Sequence, residues 1–488
     1  ISGTGIMPET GIEENHSLPR KEIDNSVIVW KWFLAFEVIT ILGIAIWKLR
    51  IVNDDTFITL RYAYNLIHGF GLVFTPGEHI LGITNPLLAM LQALFSIPTV
   101  GNVLLGAYLL QYTLMIASII LIHDHFQNRL VTIASIPLLF FNQQTLGYFG
   151  NETILILFLS LAALYALKSH RDILFSIVLS LLYLARFDGF IFGIIASIIW
   201  GYQRRPISFK KVVLHISLWA SLPILWHIFA YIYYGNFFSN SVSSKILFSS
   251  QLHLKSYLSM LIENRLPELF IASGTPIQAI LFIFGIYFFW RYLRIYLIWF
   301  LGITLVYWLI KAPGVFIWYY YTLTFLTILA VSCGVAYLTE KFLSKPILRY
   351  IFAAIVVCIL IWGVSNKSWE RFSWEQQRFQ LYQEISQFIL PTITHNTYIE
   401  TNEIGILGYY LNCRILDHHF LVTKQGIGPH RFPDIVQYRS LLQPQYIIIN
   451  PYRTLRQEEL IQFPGYRYLT VVRSPGNTIH IYIFERLR

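Results

Sequence analysis

Two adjacent carboxylates, Asp54 and Asp55, follow Asn53 just beyond the first long apolar run of the chain. Such a pair suits transfer chemistry in which one acid takes the proton of an acceptor hydroxyl while the other orients it or holds a divalent cation. Repulsion between the two would raise one pKa toward the working range. The plainer alternative is that one Asp is only an N-cap that stabilises a helix start. Carboxylates at a membrane boundary are costly unless paired or hydrated, so two of them exceed what capping needs. Asp54 and Asp55 are therefore the candidate catalytic residues, and either is the candidate holder of a cation.

Further charged residues are scarce enough to be named singly. Arg61, seven residues after Asp54, either neutralises the acids or contacts a phosphate. Glu152 in Gly150-Asn151-Glu152-Thr153 either complements a positive helix end or faces the same site as the Asp pair. Arg186 and Asp188 split two apolar runs, where they neutralise one another or line a cavity. The polar stretch Tyr233 to Lys245 offers Lys245 as a phosphate contact, or is simply a mobile polar loop. Trp318 to Tyr321 read as interfacial anchors. Asp417-His418-His419 lacks a third ligand at a recognisable spacing. Gly405-Ile406-Leu407-Gly408 is too weak for a nucleotide fingerprint.

The elements that must position these residues are mostly apolar helices. Val27 to Leu49 is long enough to span a bilayer, and further runs near 103–122, 130–147, 153–168, 172–185, 189–202, 212–234, 275–290, 295–311, 316–339 and 347–365 bring the expected crossings to about eleven. The stretch Pro86 to Pro98 is short and is expected to be re-entrant or interfacial. With a cytoplasmic N-terminus, the short inner connections collect Arg129, Lys168, Arg171, Arg204, Arg205, Lys210, Lys211, Arg291, Arg294, Lys341, Lys345 and Arg349, as the positive-inside rule requires. The opposite face then receives the first outer loop, residues 50–85, and the whole C-terminal part. After Asn53, Phe57, Leu60, Tyr64 and Ile67 share one helical face and Arg61, Asn65 and His68 another, which predicts an amphipathic helix on the membrane surface.

The expected organisation is a flexible cytoplasmic tail over 1–26, a transmembrane part over 27–365 and an extracytoplasmic α/β domain over 366–488, with strands at Thr397 to Ile399, Tyr446 to Asn450, Leu469 to Arg473 and His480 to Phe484. Composition agrees: of 488 residues 56% are hydrophobic and only 13% charged, which excludes a water-soluble globule and a disordered chain. Three cysteines imply no disulfide framework. The net charge of +10 is an orientation signal rather than a nucleic-acid footprint, since no nucleic-acid motif is present.

The string from Asp54 to Leu66, followed by Gly69-Phe70-Gly71, Pro76-Gly77-Glu78 and Gly82-Ile83-Thr84-Asn85-Pro86, resembles the first outer loop of GT-C polytopic glycosyltransferases, in particular the group containing the mycobacterial terminal arabinofuranosyltransferase. The likeness continues at Gly150 to Thr153, at Arg186 to Gly189 and from Tyr234 to Lys245. Phe187 and Ser239 stand where that pattern commonly has Pro. The resemblance implies a GT-C-like polytopic helical membrane protein of the plasma membrane that moves one sugar from a polyprenyl-phosphate donor to an extracytoplasmic glycan, lipid or protein acceptor. Asp54 and Asp55 would be central to catalysis, and Arg61, Tyr62, Asn65, Asn85, Glu152, Arg186, Asp188, Asn240 and Lys245 would contact substrate. A flippase or transporter of a lipid-linked sugar is the competing reading, and a non-catalytic membrane subunit that kept the fold is a third. The C-terminal domain is expected to bind the acceptor, with Trp369 or Trp374 as stacking surfaces or as core.

Overall fold

The computed structural model describes residues 25–241, 255–267, 276–314, 316–423, 435–451, 463–476 and 478–487. The tail over 1–24 and Lys245 lie outside them. Helices occupy every apolar segment read from the sequence. Several begin in the same way. Asn53, Asn102, Asn128 and Asn142 each place a side-chain oxygen on backbone N–H groups of the helix that follows, which satisfies donors that have no partner inside the helix.

Val103–Phe126, Phe209–Tyr234, Trp290–Leu309 and Ile317–Phe342 are long and apolar enough to cross a membrane. The helix Phe209–Tyr234 leaves Ile224, Leu225, Ile228 and Ile232 exposed, a surface that suits lipid and would be a liability in water. Helices Pro276–Phe288 and Tyr321–Phe342 approach almost backbone to backbone. A Cβ on Gly285 would lie 1.8 Å from the Ala330 carbonyl oxygen, and one on Gly334 would lie 2.0 Å from that of Leu281. Small residues at such crossings give dispersion contact where no hydrophobic drive between helices exists.

Two elements depart from expectation. The helix from Pro346 does not end near residue 365 but runs unbroken to Ile389, 44 residues or about 66 Å at 1.5 Å per residue. It therefore extends well past a hydrocarbon layer of about 30 Å and carries Arg371, Glu375 and Arg378 beyond the bundle. The helix Asp54–Ile67, expected on a membrane surface, is buried along ten of its fourteen residues. The cause is the C-terminal part, whose Tyr409 and Tyr410 pack with Phe379 around Phe57 at ring distances of 5.4 to 5.9 Å.

That C-terminal part forms a five-stranded sheet in the order β2-β1-β3-β5-β4, with β1 Tyr398–Thr401, β2 Arg414–Asp417, β3 Tyr446–Ile449, β4 Tyr466–Arg473 and β5 His480–Arg486. The first three strands are parallel, and β5 and β4 pair antiparallel at one side. Strand β2 is an addition to the sequence reading.

Candidate active site

The Asp pair divides on folding. Asn53 is the N-cap of its helix and accepts the Asp55 N–H at 3.1 Å, so neither Asp is needed as the cap. Asp54 is buried, and its two carboxylate oxygens accept the backbone N–H groups of Gly405 at 2.9 Å and Ile406 at 2.8 Å. These are the first two residues of the helix Gly405–Leu411. Burial holds the Asp54 carboxyl above the usual carboxylate range, helped by the nearby Glu403 charge, and outweighs Arg378 and the two N–H donors, which pull it down. Asp55 is exposed and borders two cavities at once.

The smaller cavity, about 80 Å³, is lined by Thr59, Asn85, Glu152 and Ser241 along with Asp55 and the apolar Ile58, Ile83 and Leu421. Asn85 links its walls. Its Oδ1 accepts the Thr59 hydroxyl at 3.3 Å and its Nδ2 donates to Glu152 at 2.9 Å. Behind Glu152 lies a buried ion network. Arg186 donates through Nη1 to Glu152 at 2.7 Å and through Nε to both oxygens of Asp188 at 3.0 and 3.1 Å. The hydroxyls of Tyr307 and Tyr321 also donate to Asp188. The fork of the guanidinium thus serves two carboxylates from different elements, a geometry that lysine cannot reproduce.

The larger cavity, about 510 Å³, lies between this region and the sheet. Its walls include Asp55, Tyr148 and Trp318 on one side, Arg371, Glu375 and Arg378 of the long helix, and Asn402, Glu403, His418, His419 and Asn450 at the carboxyl ends of β1, β2 and β3. Arg378 pairs with Glu375 at 2.6 Å and Glu403 at 2.9 Å. Arg371 pairs with Glu375 at 3.0 Å and donates to the Tyr148 hydroxyl at 3.0 Å. None of these long-helix residues stood out in the sequence, because Arg and Glu three and four residues apart also describe an ordinary solvated helix.

The remaining predicted residues are placed as follows. Arg61 is 1% exposed and does not line either cavity. Its Nε donates to the Phe74 carbonyl at 2.6 Å and its Nη2 to that of Cys413 at 3.0 Å, so it ties the first loop to the C-terminal part rather than reaching a phosphate. Burial lowers its pKa to about 10. Tyr62 accepts the Gly82 N–H and donates to Ile80, and Asn65 donates to Val73 and Phe74; both brace the loop from within. Asn240 reaches Leu81 through its backbone N–H and Leu421 through its side chain. Trp374 is half-buried beneath the guanidinium groups of Arg371 and Arg378. Asp417 is consumed by backbone N–H groups of His419 and Leu421, and His418 contacts Glu400. Among the described residues no group of three His, Cys, Asp or Glu is placed to hold a metal ion.

Comparison with solved structures finds this architecture in ArnT from Cupriavidus metallidurans. The structure bound to undecaprenyl phosphate superposes with a TM-score of 0.55 at 13% identity, and the apo state with 0.57 at 11%. In both cases 94% of this chain and 98% of that chain are covered. The chain has an ArnT-like fold. ArnT is a GT-C glycosyltransferase, and at these identities the likeness is one of fold. No protein-family model matches the chain, and no curated protein matches it. The ArnT-like fold and the long apolar helices make it an integral membrane protein.

Proposed function

We propose that the protein is a glycosyltransferase that moves one sugar from a polyprenyl-phosphate donor to an extracytoplasmic acceptor. The observation that carries this reading is the position of Asp55, an exposed carboxylate where two cavities of unequal size meet. It is supported by the fold shared with ArnT, whose structure holds undecaprenyl phosphate, and by a first-loop pattern like that of the mycobacterial arabinofuranosyltransferase group. Asp55 takes the proton of the acceptor hydroxyl as that oxygen bonds to the sugar's anomeric carbon. The bond from that carbon to the phosphate oxygen breaks, and polyprenyl phosphate leaves with the electron pair. The small cavity receives the reacting end of the donor and the large one the acceptor. Lys245 is assigned to the departing phosphate, and Asn85 and Glu152 to the sugar hydroxyls.

A lipid-carried donor fits the compartment, since the sheet-bearing end faces away from the cytosol in the topology set by the basic loops. The test is incubation of membranes carrying the protein with radiolabelled polyprenyl-phosphate sugars and a cell-envelope extract as acceptor. Transfer by the native chain and its loss in Asp55→Asn is the expected result. Full transfer by Asp55→Asn, or passage of the intact lipid-linked sugar across a vesicle without transfer, sinks the reading.

A further inference from the structure

In the C-terminal sheet β1 lies between β2 and β3, all three parallel. The chain leaves β1 toward one side and returns on the other, so the carboxyl ends of β1 and β3 flank a topological switch point, the place where open sheets of this kind take ligands. Here that crevice is held by a reciprocal pair. The Asn402 side chain donates to the Asn450 carbonyl at 2.8 Å and accepts the Asn450 N–H at 3.0 Å. Both residues line the cavity of about 510 Å³, a volume in the range of small-molecule sites.

The wall chemistry narrows what enters. Five carboxyl groups line the cavity, those of Asp54, Asp55, Glu375, Glu403 and Asp417, with the two guanidinium groups of Arg371 and Arg378; burial holds those of Asp54 and Asp417 above the usual carboxylate range. Both guanidinium groups are already engaged by buried Glu375, and that of Arg378 by Glu403 as well. A phosphate or carboxylate on the ligand would therefore meet guanidinium groups whose charge is already shared with carboxylates and, in the same cavity, the exposed carboxylate of Asp55. A polyol meets no such barrier. The Asn450 side-chain amide, the His419 imidazole and the exposed Asp55 carboxylate suit its hydroxyls, while Trp318 and Tyr148 across the cavity give ring faces for the C–H side of a sugar.

We infer that this cavity is a carbohydrate site that takes an uncharged glycan, seated on the carboxyl ends of β1 to β3 with its terminal hydroxyl at Asp55. The inference rests on the glycosyltransferase reading only for what happens to that hydroxyl. Saturation-transfer NMR of the full chain in lipid nanodiscs tests it, with mannotriose, galactotriose, arabinotriose and chitotriose as uncharged probes and trigalacturonate and a phosphorylated mannotriose as charged ones. At least one uncharged trisaccharide should bind saturably, ahead of both charged probes. Trp318→Ala and, separately, His419→Ala should weaken that binding about tenfold, the loss of one stacking or polar contact of about 1.4 kcal/mol, while the melting curve shows each variant folded. Preference for a charged probe, no saturable binding of any uncharged one, or binding untouched in both folded variants overturns the inference. Uncharged-glycan binding without any transfer defeats the glycosyltransferase reading alone. Transfer onto a phosphorylated acceptor sustains that reading and defeats this one.

Discussion

Asp54 and Gly405 meet so closely that a Cβ added to Gly405 would sit 1.8 Å from the Asp54 carbonyl oxygen, while the Asp54 carboxylate accepts the Gly405 N–H at 2.9 Å. The first loop and the C-terminal part are thus joined backbone to backbone one residue before Asp55. Two further contacts span the same junction, Arg61 to the Cys413 carbonyl and Arg414 to Glu78. Asp54, buried against Gly405 and Ile406, and the exposed Asp55, proposed as the acid that takes the acceptor proton, are thus neighbours with different surroundings.

Substituting the two acids should therefore produce different kinds of damage. Asp55→Asn should cut transfer by about 10² to 10⁴, the usual worth of a general base, with the melting temperature unchanged. Asp54→Asn places an amide donor against backbone donors and should cost about 2 kcal/mol of stability, with faster hydrogen exchange at Gly405 and Ile406. Equal stability losses in the two variants would contradict the division of roles.

Gly405→Ala should fold poorly or undock the C-terminal part, because the obstructing atom is backbone and cannot swing aside. Overpacking of this kind costs about 1 to 3 kcal/mol. Gly43→Ala is the control, since a Cβ there meets nothing within 4 Å. Limited proteolysis reads the difference: earlier release of fragments carrying the sheet is expected for Gly405→Ala alone.

Arg186 holds Glu152 and Asp188 together, so its removal leaves the buried Glu152 and the half-buried Asp188 without the cation between them. Arg186→Gln should cost about 3 to 5 kcal/mol, as for other broken buried pairs. Arg186→Lys should recover less than half of that, because a point charge cannot serve both carboxylates. Denaturant titration in mixed micelles measures both. A double-mutant cycle with Glu152→Gln should give a coupling above about 1 kcal/mol, and additive losses would show that the two side chains act independently.

Much of the bundle was legible because apolar length is a local signal, and four of the five strands were legible from their β-branched and aromatic runs. Strand β2 was hidden, since it ends in Asp417, which with His418 and His419 read as a stray cluster of ligands. Arg61 and Asn65 were read on a solvated face. Amphipathic reasoning assigns polar side chains to water and cannot foresee that another part of the chain covers them and supplies carbonyls. Asp55 was legible as one of a pair, but its separation from Asp54 depends on Gly405 and Ile406, some 350 residues distant in the chain. The cavity wall from Arg371 to Arg378 was lost for a similar reason, because the long helix was expected to stop before reaching it.

Acid should loosen the sheet through Glu400. This carboxylate on the interior strand β1 is fully buried, and accepts Arg439 at 2.7 and 2.5 Å and His418 at 2.8 Å. Burial by itself would raise its pKa, but the hydrogen bonds and charges of Arg439 and His418 prevail and hold it below the ordinary value of 4.5. A depressed carboxylate stabilises the fold at pH values above its unfolded pKa, and that stability is lost as pH falls through the folded one. The loss should thus begin near pH 4.5 and continue below it, with Arg439 and its helix Ile435–Leu442 released first. Glu400→Gln removes the titrating group, so the variant should be weaker by about 3 kcal/mol at neutral pH, where Arg439 loses its partner, and should lose less on acidification than the native chain. Thermal melts followed by tyrosine fluorescence from pH 7 to pH 3 compare the two, and parallel acid limbs would show that Glu400 is not the group responsible.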